Sequence, residues 1–82
     1  MTTAQLCVAR TLLRMPAEKL GELSGVSLLT IRRAEAQDGP IRMMPANLGA
    51  VRRALEAAGV ALIPEHGGGE AGVRLRNPAA HK

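Results

Sequence analysis

Between residues 25 and 35 the chain reads GVSLLTIRRAE, and these residue types suit contact with a polyanion better than bond chemistry. Arg33 is a candidate for a bidentate contact to guanine O6 and N7, and Leu29 for apolar contact with a thymine C5-methyl. Arg32 is a further base-edge candidate and a stronger one for phosphate. Arg42, Thr30, Ser27, Asn47 and Arg14 are the other candidates for phosphate contact, with the backbone amides near Asn47 helping at a helix start. The competing reading is a solvated helix face, on which an isolated leucine needs no explanation.

Other reactive side chains do not assemble into a site. Cys7 has no His or Asp at catalytic spacing and reads as a buried structural thiol. His66 and His81 stand far apart without a third ligand, which argues against a metal. GGGEAG lacks the Gly-Lys-Ser/Thr that a phosphate loop requires, and it reads as a linker. The expectation is a protein that is not an enzyme and uses no cofactor.

Composition narrows the partner. The 82 residues carry 11 Lys and Arg against 7 Asp and Glu, a formal charge of +4 that permits a polyanion without demanding one. There is no Phe, Tyr or Trp. Single-stranded nucleic acid and RNA modules usually stack bases on aromatic rings, so a nucleic-acid partner here would be duplex DNA. A chain this short buries only about 60% of its unfolded surface, so association would help it. One cysteine, no leader-like start and no long apolar run point to a cytoplasmic chain without a membrane partner.

The elements that must position these side chains follow from spacing. Leu6, Ala9, Leu12 and Leu13 predict a first helix over residues 4–15. Pro16 stops it and opens a second that turns Leu20 and Leu23 inward and ends at Gly25. Ser27 caps a third, expected over 27–37, before Asp38-Gly39-Pro40 ends it. IRMMP reads as an irregular loop. Asn47 is the expected cap of a fourth helix with Leu48, Val51, Leu55 and Ala58 inward and Gly59 at its end. VALI (60–63) and VRLR (73–76) then alternate as short strands.

With Ile31 at the centre of the buried face and about 100° per residue, Ala34, Glu35 and Ser27 fall beside it. Leu29, Arg32, Arg33 and Ala36 fall opposite, and Leu28 lies on the flank, where it packs beside the turn. The joint spacing of Leu20, Gly21, Gly25, Val26, Ser27, Ile31 and Ala34 fits two helices crossing through a tight turn. Gly25 suits a positive φ there, and Gly21 suits a close approach of the third helix.

On these residues the chain resembles the lambda-repressor-like, Cro and Xre-type helix-turn-helix regulators. The resemblance is carried by ARTLLRMPAEKLGELSGVSLLTIRRAEA and by NLGAVRRALEAAGVALIPEHGGGEAGVRLR. It implies a mainly α fold of four helices with two short C-terminal β-strands, and a homodimer that binds a palindromic operator. It also implies an ion pair between Arg10 and Glu35. Two departures stand out: Pro16 replaces the usual Ser or Thr cap of helix two, and the third helix lacks the Gln, Asn or Ser common near its start.

The expected organisation is a DNA-binding unit over 1–59, a β-strand dimerisation tail over 60–77 and a disordered end over 78–82. A lone two-stranded hairpin is marginal in water. Leu62, Val73 and Leu75 are therefore expected at a dimer interface, with the strands pairing across a two-fold axis or swapping between subunits. The leading functional expectation is a transcriptional regulator whose recognition helices lie about 34 Å apart in the dimer. The alternatives are an antitoxin-type protein that also binds a toxin, and an interaction domain that uses Leu28 and Leu29 as an apolar patch.

Overall fold

The computed structural model describes residues 1–63 and 72–76. Four helices, α1 (Thr3–Leu13), α2 (Ala17–Ser24), α3 (Leu28–Glu35) and α4 (Pro45–Ala58), precede strands β1 (Val60–Ile63) and β2 (Gly72–Leu75). The expected mainly α architecture with two short C-terminal strands is what the chain forms. The fully buried side chains Leu6, Leu20, Ile31, Val51, Leu55 and Val60 come from all four helices and β1, so one core holds the elements together. No described helix is long and apolar enough to cross a membrane.

Helix ends differ from expectation wherever an alternative cap was available. Thr2 Oγ1 accepts from the Gln5 amide at 3.1 Å while Gln5 Oε1 accepts from the Thr2 amide at 2.9 Å. This reciprocal box starts α1 at Thr3. α1 ends at Leu13 because Arg14 takes the left-handed conformation, φ 52°. Pro16 lies just outside α2 as its cap residue rather than within its first turn. α3 stops at Glu35, with Ala36 as its C-cap, two residues short of the expected end.

Asn47 does not cap α4. Met44 is the cap residue and Pro45 occupies the first helical position, where its fixed φ is already helical and its missing N–H costs nothing. Asn47 consequently sits inside the first turn. Gly59 follows the helix with φ 121°, at the C-terminal cap position expected for it. The loop before α4 is also less loose than its composition suggests. Ile41 is buried, its amide donates to Met1 O at 3.1 Å, and Thr2 bridges Pro40.

The inward assignment of Leu23 is overturned, since it is exposed, and Leu12 of the α1 stripe is exposed as well. Each lies on the margin of its helix's apolar stripe, and Leu23 borders a surface cavity with Ala54, Ala57 and Ala58 of α4. Leu28, by contrast, packs against the core as expected.

The tail forms a local sheet. β1 and β2 pair with each other, antiparallel, with Val60 opposite Leu75 and Leu62 opposite Val73. Those four side chains share the face turned to the chain's own core: Val60 and Leu62 are buried, and Val73 and Leu75 are half-buried against them. A local sheet packed on α1 and α4 escapes the marginality of a free hairpin. Within the chain Leu62 is buried and Val73 and Leu75 are half-buried, and each strand uses one of its edges in this pairing. The register begins at Gly72, one residue before the expected strand. Residues 67–71 of the GGGEAG linker, His66, His81 and the expected disordered end lie outside the described residues.

Candidate nucleic-acid interface

The geometry begins at the turn between α2 and α3. Gly25 has φ 75°, a conformation that a Cβ would oppose, and its amide donates to Gly21 O at 2.9 Å. Ser24 Oγ donates to Leu20 O at 2.7 Å and accepts from the Val26 amide at 3.2 Å, which fixes the exit of the chain. A Cβ on Gly21 would stand 3.1 Å from Val26 O and 3.7 Å from Ile31 Cδ1. The glycine therefore permits the close approach that its spacing implied.

α3 is seated by one face only. Ile31 is 0% exposed and Ala34 1%, and Thr3 Oγ1 donates to Ala34 O at 3.0 Å from α1. Ser27 caps the helix, its Oγ accepting from the Thr30 amide at 3.2 Å and donating to Thr30 Oγ1 at 2.8 Å. The Ser27 hydroxyl is thereby committed to the helix start, whereas Thr30 keeps its own hydroxyl proton for an outside acceptor.

The opposite face carries Leu29, 59% exposed, together with exposed Arg32 and Arg33. Among the described residues Arg33 forms no ion pair, while Arg32 Nη2 lies 3.8 Å from Glu18 Oε2 of α2. Arg14 and Arg42 are also exposed and form no ion pair among the described residues. The Arg42 amide donates to Gln37 Oε1 at 2.8 Å, so a side chain just past α3 holds the loop that carries this arginine. Asn47, half-buried, lies in the first turn of α4, which has no side-chain cap. Its early amides remain free to donate. The structure thus gathers Leu29, Thr30, Arg32 and Arg33 on one short helix, and no hydrogen bond or ion pair links Arg14, Arg42 or Asn47 to them.

Behind this face the Arg10–Glu35 pair is present. Arg10 Nε and Nη2 donate to Glu35 Oε2 and Oε1 at 2.5 and 2.8 Å, and Nη1 donates to Met15 O at 2.8 Å. The bidentate fork joins α1 to the last turn of α3, with both side chains mostly withdrawn from water. The hydrogen bonds to Glu35 raise the Arg10 pKa above its ordinary value. Cys7, nearby and half-buried, has its thiol pKa pushed up, first by desolvation and then by the Glu35 charge. That favours the neutral, inert form over a nucleophile.

Two relevant residues escaped sequence reasoning. Gln5 was readable as the fourth residue of a Thr-x-x-Gln box, but its second role was not. Its Nε2 donates to Ile63 O at 2.9 Å and Gly72 O at 3.0 Å, fastening the end of the hairpin to α1. Glu18 was visible as an acid in the first turn of α2, yet its approach to Arg32 depends on the helix crossing. No protein-family model matches the chain, and no curated protein matches it.

Proposed function

We propose that the chain is a sequence-specific regulator of transcription of the lambda-repressor-like, Xre type, binding palindromic duplex DNA as a homodimer in the cytoplasm. The observation that supports this reading is the division of α3: one face immobilised by Ile31 and Ala34, the other presenting Leu29, Thr30, Arg32 and Arg33. A helix held in this way enters a major groove as a rigid unit, so base contacts carry no added cost of ordering the backbone. Arg33 reads guanine, Leu29 contacts a thymine methyl, and Arg32, Arg42 and Thr30 hold phosphates. The hairpin pairs within its own chain, so strand pairing in the homodimer of this proposal joins the outer edges of two such sheets.

Selection from random duplexes tests the proposal. An enriched palindrome is expected, with Arg33→Ala relaxing one base pair by about 1–3 kcal/mol of discrimination. Arg42→Ala should weaken all sequences alike. Absence of binding at low salt contradicts the proposal. A second reading, a protein-interaction domain, draws on exposed Val8 and Leu12, four residues apart on α1. Its test is whether the Leu12→Glu variant loses association while retaining any DNA binding.

A further inference from the structure

We propose that Glu18 is a built-in competitor for DNA phosphate: it holds Arg32 against α2 and sets the affinity for duplex DNA below what the exposed arginines could deliver. The inference rests on the DNA-binding reading and adds to it a residue that limits binding. Among the described residues Glu18 is the one carboxylate that pairs with a cation of the outer face of α3, with Arg32 Nη2 at 3.8 Å. The other acids with ion-pair partners are engaged elsewhere: Glu22 with Lys19, Glu35 with Arg10 and Glu56 with Arg52.

Position strengthens the effect. Glu18 lies in the first turn of α2, where the exposed amide dipoles stabilise a carboxylate. Its charge is therefore anchored beside the α3 face instead of being carried on a mobile loop. Both partners are more than 60% exposed, so the pair contributes little to folding and opens easily. A phosphate approaching Arg32 must displace Glu18 and also tolerate its negative charge at close range. Contact with Arg33 or Leu29 does not pass through this pair, so Glu18 governs affinity and salt sensitivity and leaves base preference alone.

The experiment compares four full-length proteins, wild type, Glu18→Gln, Arg32→Ala and the double variant, by fluorescence anisotropy on random-sequence duplex over a salt series. Glutamine keeps the length and helix propensity of the side chain and removes its charge. Glu18→Gln is expected to bind about three- to fivefold more tightly at low salt, the scale of one exposed ion pair. The slope of log affinity against log salt should steepen by up to about one phosphate contact. In the Arg32→Ala background the same change should do much less. Unchanged or weaker binding by Glu18→Gln overturns the inference, as does an equal gain with and without Arg32. Wild-type protein that binds no duplex at any salt contradicts the DNA-binding reading itself, so the two failures are distinguishable.

Discussion

The outer face of α3 and the junction of α1 with the hairpin are built on opposite terms. At the junction a buried amide uses both ends: Gln5 Oε1 accepts from Thr2 while Nε2 donates to Ile63 O and Gly72 O. On α3 the inner face is fully packed, and the outer side chains answer to little within the chain beyond the loose Glu18–Arg32 pair. Where every polar group has an internal partner, substitution should register as stability. Where the backbone is held but the side chains face water, substitution should register as binding and leave the fold intact.

The largest expected effect comes from removing the packing that makes α3 rigid. Ile31→Ala deletes a fully buried side chain and should cost about 3 kcal/mol, enough to unfold much of so small a domain in thermal or urea melts. A loss under about 1 kcal/mol would show that α3 is not held by this face.

Next come the two partly buried polar links. Glu35→Ala leaves the Arg10 guanidinium without its carboxylate, and a loss of about 2 kcal/mol is expected. Removing both partners should cost less than the sum of the single changes. Additive effects in the double-mutant cycle would dissolve the link. Gln5→Ala should cost about 1–2 kcal/mol and speed amide exchange in β2 more than in α3. Equal acceleration in both regions would blur the comparison.

Leu29→Gln lies at the other extreme. Stability should move by under about 0.5 kcal/mol, while preference at one thymine-containing step changes. Unchanged preference would make Leu29 a bystander and leave readout to Arg32 and Arg33. Arg14→Gly, at the left-handed residue that ends α1, should stabilise by up to about 1 kcal/mol, because glycine takes that conformation without a Cβ penalty. A lower melting temperature would show that the arginine side chain matters more than its strain.

The α3 half of the comparison was the more legible in sequence. Helical spacing around Ile31 separated Ala34 from Leu29, Arg32 and Arg33, and Gly21 and Gly25 marked the turn, because the contacts that decide them lie within about one turn of helix or across one short loop. Boundaries were less legible. Pro45 preceded Asn47 as the start of α4, and Arg14 ended α1 in a conformation that its side chain does not advertise. The anchoring of the hairpin was not legible because its partner is remote: Gln5 reaches carbonyls 58 and 67 residues away, which no local pattern encodes. Leu23 looked inward for a related reason, since periodicity defines a stripe without showing which of its edges a neighbour covers.

Backbone amide chemical shifts followed by NMR during titration with a duplex from the random selection test the central claim most directly. The account predicts that the largest changes fall on α3 between Leu28 and Glu35 and on the α4 start near Asn47. β2 and the Val8–Leu12 side of α1 should change little. Changes concentrated on α1 or the hairpin, or none at low salt, would contradict it.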